Sequence, residues 1–97
     1  MDIKEIRKRI DSTDEQLAEL LAERMALAAD VAAYKKENGM AVYDEQREKE
    51  VIESVSRKAG ETFAPYIAEI YETIMKTSKD YQNDLIENGQ SSKIWIV

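Results

Sequence analysis

The first 38 residues contain neither glycine nor proline, and this uninterrupted run constrains the fold more than any other feature of the sequence. Apolar residues recur along it at steps of three and four, which is the periodicity of an amphipathic helix. They are Ile3, Ile6, Ile10, Leu17, Leu20, Leu21, Leu27, Ala28, Val31 and Tyr34. We therefore predict one long helix over residues 1–38, ended by Gly39 in a left-handed conformation.

Two shorter helices are predicted after a loop at residues 40–43. Asp44 is suited to cap a second helix, which continues to residue 58 or 59 and is ended by Gly60. A third helix opens within residues 62–65, where proline is tolerated in a first turn, and closes at residues 88–89. Its predicted inner face comprises Ile67, Ile70, Tyr71, Ile74, Ser78, Tyr81 and Leu85.

The scarcity of residues that break helices sets the fold class. Three glycines and one proline among 97 residues leave few places for the chain to turn. We therefore predict an all-α fold with three helices per subunit. Residues 1–88 are expected to form one helical domain. Residues 89–97 are expected to form a C-terminal tail, partly β-like in sequence, whose role the sequence does not assign.

The length of the first helix favours an oligomer. About 36 residues rising 1.5 Å each give a rod of roughly 54 Å. A compact domain of this size has a radius of gyration of only about 13 Å, so the rod overhangs any core that one chain can form. The apolar stripe continues along the overhang and needs a cover. A second copy of the chain is the simplest cover, and we predict a homodimer.

Composition excludes several classes of chemistry. The chain has no cysteine and no histidine, so disulfides, thiolate nucleophiles, imidazole bases and ordinary zinc sites are excluded. The net charge of −6 argues against a nucleic-acid partner. No segment approaches the roughly 20 apolar residues needed to span a membrane, and the N-terminus lacks the apolar core of a signal peptide. We expect a cytoplasmic protein with no nucleic-acid partner and no membrane contact.

Cations lie on the apolar face of the first helix. Arg24 falls in the middle of the stripe, Lys35 lies one turn beyond Val31, and Arg7 lies at its edge beside Ile3. An unpaired buried charge costs several kcal/mol, so these cations need anionic partners. A single arginine in such a position is commonly a snorkelling side chain, and Arg7 also belongs to a charge run typical of a solvated face.

Polar residues also interrupt the inner faces of the other two helices. Arg47 and Glu48 precede the apolar face of the second helix, with Asp44 at its start, and Ser78 and Gln82 interrupt the face of the third. Each has an ordinary structural explanation alone, such as an N-cap or a polar defect near a helix end. Their coincidence on three helices indicates a buried site for a small anion. Arginine forms forked hydrogen bonds to carboxylates, so a dicarboxylate would suit this site.

Several segments of the chain resemble the all-helical class of chorismate mutase over about residues 3–88. They are residues 6–14 (IRKRIDSTD), residues 20–24 (LLAER), Lys35, residues 44–48 (DEQRE), and the pair Ser78 and Gln82. The resemblance implies an intertwined homodimer in which the long first helix spans both active sites. It further implies rearrangement of chorismate to prephenate, in phenylalanine and tyrosine biosynthesis, without metal, cofactor or covalent intermediate.

The resemblance also implies a role for each polar residue. Arg24 and Arg47 of one subunit, with Arg7 of the other, would hold the two substrate carboxylates. Lys35 and Gln82 would bind the ether oxygen, Glu48 and the backbone near Asp44 the ring hydroxyl, and Ser78 would lie near a carboxylate. Tyr43, just before Asp44, and the tail from Gln90 depart from the family pattern.

Two other functions stay open at this point. One is an isochorismate-pyruvate lyase on the same scaffold, a relative that usually lacks the acidic pair found here as Asp44 and Glu48. The other is a non-catalytic helical module for dimerisation or metabolite binding. The chain could also be one part of a larger bifunctional protein.

Overall fold

The computed structural model describes residues 2–88, and three α-helices make up most of this range. They are α1 (Ile3–Glu37), α2 (Glu45–Ala59) and α3 (Ala64–Asn88). The all-α prediction is confirmed, and the helix ends lie within two residues of the predicted ones. The predicted tail at 89–97 lies outside the described residues, so the predicted domain boundary stays a prediction. No helix in the described range is long and apolar enough to cross a membrane.

Local sequence signals set the helix ends. The Asp2 carboxylate accepts a hydrogen bond from the Glu5 backbone N–H at 2.9 Å and so caps α1. Asp44 caps α2 in the same way, as predicted, by accepting from the Arg47 backbone N–H at 3.0 Å. Gly39 follows α1 with φ +62°, the left-handed conformation that glycine adopts without steric cost.

Helix α3 lies between the other two helices and packs against both. Ala28 and Ala32, one turn apart on α1, are buried, and their small side chains allow α3 to approach closely. On α3 the buried residues are Met75, Ser78 and Gln82. Two of these three are polar, so part of the interior is built for hydrogen bonding rather than for apolar packing.

The structure corrects the predicted inner face of α3. Ile70 was expected on that face but is 54% exposed. Met75 was not expected there but is buried and contacts Arg24. The other six predicted inner-face residues of α3 are buried or half-buried, so the prediction is wrong only at Ile70 and incomplete at Met75.

The first half of α1 extends away from the rest of the chain. Every residue from 2 to 23 is exposed, including Ile3, Ile10 and Leu20 of the apolar stripe. The longest dimension of the molecule is 52 Å and the radius of gyration is 16.6 Å. A compact chain of this length has a radius of about 13 Å. The overhang predicted from helix length is therefore present, and the single chain leaves its apolar stripe uncovered.

Candidate active site

A cavity of about 310 Å³ opens between the second half of α1, the start of α2 and the middle of α3. Its volume lies at the lower end of the range typical of small-molecule sites. Seven of the eight predicted site residues line it: Arg24, Lys35, Asp44, Arg47, Glu48, Ser78 and Gln82. Leu27, Val31 and Val51 are among its apolar lining residues. The residues singled out on three separate helices therefore converge on one place.

Arg24 is half-buried and is held by uncharged neighbours. Its Nη2 lies 3.4 Å from the Met75 sulfur, and its guanidinium carbon lies 5.9 Å from the centre of the Tyr71 ring. An arginine over an aromatic face gains cation–π attraction without losing its charge. In the described part of the chain no carboxylate lies within ion-pair distance of this guanidinium. Arg24 is thus oriented by α3 and available to an anionic ligand.

Lys35 connects the end of α1 to the loop that precedes α2. Its Nζ donates a hydrogen bond of 2.7 Å to the Val42 carbonyl oxygen. An ammonium group carries three hydrogens, so two donors are left for a ligand. The bond to Val42 fixes the direction from which the ammonium enters the cavity.

The start of α2 places Asp44, Arg47 and Glu48 at one end of the cavity. The Asp44 carboxylate is committed to capping the helix, so its position is set by the backbone of α2. Arg47 lies one turn later, on the exposed rim. Among the described residues it has no carboxylate partner within 4 Å. A cation at the rim that lacks a partner can meet an incoming anion.

Glu48 forms an ion pair that the sequence did not reveal. Its Oε2 lies 3.1 Å from the Nζ of Lys79, which also lines the cavity. A carboxylate can accept hydrogen bonds at both of its oxygens, so the contact with Lys79 at the buried Oε2 leaves acceptor capacity at Glu48. The carboxylate is therefore charge-compensated but still able to accept a hydrogen bond.

Ser78 and Gln82 form a buried polar pair one turn apart on α3, with only 4% and 8% of their surfaces exposed. The Gln82 amide nitrogen donates to the Ser78 hydroxyl oxygen at 3.1 Å. The Gln82 Oε1 is buried without a partner, and the second amide hydrogen is also free. Buried polar groups are normally satisfied, so this amide has hydrogen-bonding capacity that the described residues do not use.

Arg7 is the one predicted site residue that lies outside the cavity. It is exposed on the overhanging half of α1. Arg7 lies 17 positions before Arg24, which corresponds to roughly 26 Å along the helix axis. One chain therefore does not bring Arg7 to the cavity formed by its own helices.

Lys79 is the residue that sequence reasoning missed. It lies four residues after Met75 and three before Gln82, so helical spacing alone places it on the same face. With Lys79 included, the lining contains four cations and two carboxylates. The cavity thus has an excess of two positive charges, which complements a dicarboxylate.

Comparison with known proteins agrees with this geometry. The family model described as chorismate mutase type II matches residues 6–83. The chain is 32% identical to a chorismate mutase of Methanocaldococcus jannaschii over 89 residues, which is 90% of each chain. No solved structure gives a significant match.

Two longer relatives match over a smaller part of their length. One is the T-protein of Enterobacter agglomerans, 32% identical over 81% of this chain but only 22% of the relative. The other is a bifunctional chorismate mutase/prephenate dehydratase of Aquifex aeolicus, 34% identical over 64% of this chain and 17% of the relative. Because the family model covers most of the sequence and the archaeal relative matches nearly end to end, this chain belongs to the chorismate mutase type II family.

Proposed function

We propose that this protein catalyses the rearrangement of chorismate to prephenate in the cavity between its three helices. The observation that carries the proposal is the convergence there of Arg24, Lys35 and Arg47, none of which has a carboxylate partner among residues 2–88. Membership of the chorismate mutase type II family indicates which reaction takes place there. Of the alternatives, the lyase and the non-catalytic module are not favoured by the comparisons, since the relative that matches over 90% of its length is a chorismate mutase.

The two carboxylates of chorismate would be held by arginines. Arg24 and Arg47 enter the cavity from α1 and α2, so they approach a bound molecule from different sides. Each guanidinium can donate two parallel hydrogen bonds to a carboxylate, which fixes its orientation as well as its position. The Ser78 hydroxyl also lines the cavity and would contribute to binding one of these carboxylates. Binding both carboxylates would hold the flexible substrate in the compact conformation that reacts.

The ether oxygen would be bound by Lys35 and Gln82. In this rearrangement the C–O bond breaks while a C–C bond forms, and negative charge develops on the ether oxygen in the transition state. The free donors of Lys35 and the free amide hydrogen of Gln82 would stabilise that charge. No proton is transferred and no covalent intermediate forms, so the lack of histidine and cysteine is no handicap.

The ring hydroxyl of chorismate would be recognised by Glu48. Its Oε2 is buried against Lys79, so the acceptor offered to the hydroxyl would be the other carboxylate oxygen. Asp44 lies at the start of the same helix, and the backbone that it caps would assist. A buried acceptor left without a donor discriminates strongly against a ligand that lacks the hydroxyl.

The active protein is proposed to be a homodimer in which Arg7 of one subunit completes the cavity of the other. The uncovered apolar stripe on the first half of α1 supports a second copy as its cover. Arg7 lies on that same exposed half and is too far from the cavity of its own chain to reach it. The role in phenylalanine and tyrosine biosynthesis follows from the reaction, and the cytoplasmic location stays a prediction from the sequence.

The proposed reaction is tested by incubating the purified protein with chorismate and, separately, with isochorismate. We expect loss of chorismate with formation of prephenate, and no release of salicylate from isochorismate. Salicylate release without prephenate formation would replace the mutase with the lyase. A folded protein that binds chorismate but converts neither compound would instead support a metabolite-binding module.

A further inference from the structure

Lys79 contacts residues of two other structural elements beside the cavity. It belongs to α3, its Nζ lies 3.1 Å from Oε2 of Glu48 on α2, and it lies 4.5 Å from the centre of the Tyr43 ring in the preceding loop. The Lys79 and Glu48 side chains are only 30% and 18% exposed. This contact differs from the two other ion pairs described in residues 2–88, which link residues one turn apart on a solvated helix surface.

The position of Glu48 creates an electrostatic requirement that Lys79 meets. A partly buried carboxylate is costly unless an opposite charge lies close to it. The cost is greater here because the proposed substrate is a dianion, which an uncompensated carboxylate in the lining would repel. Lys79 supplies the compensating charge at Oε2, and the carboxylate keeps a second oxygen that can accept a hydrogen bond. The pairing therefore neutralises the charge of Glu48 and leaves its acceptor free.

We propose that Lys79 is a positioning residue, which holds the Glu48 carboxylate at the cavity wall so that it can accept a hydrogen bond from the substrate hydroxyl. This inference rests on the proposed function, in which Glu48 binds the ring hydroxyl of chorismate. Tyr43 supports Lys79 through its ring face, because a cation near an aromatic face is attracted to it. Lys79 acts on the reaction through Glu48 and through the charge of the cavity.

Removal of the Lys79 charge is expected to weaken substrate binding more than turnover. The cavity lining would retain an excess of one positive charge rather than two, and Glu48 would lose the ion pair that holds its carboxylate in place. Both effects are present before the transition state is reached, so the change falls mainly on KM. We expect Lys79→Met to lower kcat/KM about tenfold, chiefly through a higher KM.

A double-mutant cycle tests whether Lys79 acts through Glu48. The kcat and KM for chorismate are measured for the wild type, Lys79→Met, Glu48→Gln and the double variant. Lys79→Arg is the conservative variant, and Lys76→Met is the matched control, because Lys76 lies one turn earlier on α3 in an exposed pair with Asp80. Circular dichroism verifies folding, and Lys79→Gln replaces Lys79→Met in the cycle if the latter does not fold.

The expected result is a loss of about tenfold in the wild-type background and of about threefold or less in the Glu48→Gln background, where only the effect of the cavity charge remains. Lys79→Arg recovers most of the activity, and Lys76→Met matches the wild type. Equal losses in both backgrounds, or full activity of Lys79→Met, would overturn the inference while leaving the mutase reaction in place. A wild-type protein without chorismate turnover would instead remove the proposed function, and this inference with it.

Discussion

The side-chain amide of Gln82 donates to the hydroxyl oxygen of Ser78 at 3.1 Å, and both side chains are buried on α3. One amide hydrogen is thereby committed, which holds the amide plane in a fixed orientation. The other hydrogen and the buried Oε1 have no partner in the described structure. A neutral, fixed donor in a cavity rich in cations is suited to an oxygen atom that becomes negative only in the transition state.

The first prediction concerns the pH dependence that an amide donor confers. Gln82 donates without taking up a proton, so its contribution to kcat/KM should change little between about pH 6 and pH 8. In Gln82→Glu the donor exists only when the carboxyl group is protonated, and the activity of this variant should rise as the pH falls. Measured kcat/KM profiles of the two proteins provide the check. A steep fall of wild-type activity with a midpoint near neutrality would argue against Gln82 as the donor.

The second prediction compares two adjacent lysines at the end of α1. Lys35 lines the cavity and donates to the Val42 carbonyl oxygen, whereas Lys36 is exposed. Lys35→Ala should lower kcat/KM by about 100-fold or more, because a charged donor to the ether oxygen is lost. Lys36→Ala, the control for charge and helix position, should retain activity within about twofold. Similar losses in both variants would indicate that only net charge matters.

The third prediction tests whether two subunits share each site. Arg7→Ala and Arg47→Ala should each be inactive alone, because each removes a carboxylate ligand from both sites of the dimer. A mixed dimer contains one site with both arginines intact. After subunit exchange at equal concentrations, about a quarter of wild-type activity should therefore return. Exchange is verified with two differently tagged chains, and no recovery after verified exchange would rule out sites shared between subunits.

The fourth prediction concerns the capping role of Asp44. Its carboxylate caps α2 by accepting from the Arg47 backbone N–H at 3.0 Å, and it also lines the cavity. Asp44→Ala should lower the free energy of unfolding by about 1 kcal/mol, whereas Asp44→Asn should preserve it, because asparagine caps helices equally well. Urea denaturation of the three proteins gives this comparison. Equal stability of Asp44→Ala and the wild type would show that the cap contributes nothing.

Much of the fold could be predicted because its determinants are local. The long run without glycine or proline predicts α1, Asp44 predicts the start of α2, and Gly39 predicts the end of α1 through its positive φ. The inner face of α3 was harder to predict. Ile70 has the helical spacing of a buried residue but remains exposed, since burial depends on which neighbours are present and not on spacing alone.

The candidate site was predictable to the extent that a charge on an apolar face is unusual. This rule singled out Arg24 and Lys35, both of which line the cavity. It did not single out Lys79, whose partner Glu48 is 31 positions away on another helix. Sequence spacing does not reveal a pairing between helices. Arg7 lies too far from the cavity of its own chain, so its proposed role depends on a second chain.

The most direct test of the central claim is the conversion of chorismate to prephenate by the wild type, by Arg24→Ala and by Arg57→Ala. Arg57 is exposed in the last turn of α2, away from the cavity, and serves as the matched control. We predict conversion by the wild type and by Arg57→Ala, and a loss of about 100-fold or more in kcat/KM for Arg24→Ala. No conversion by the folded wild type, or full activity of Arg24→Ala, would contradict the assignment of mutase activity to this cavity.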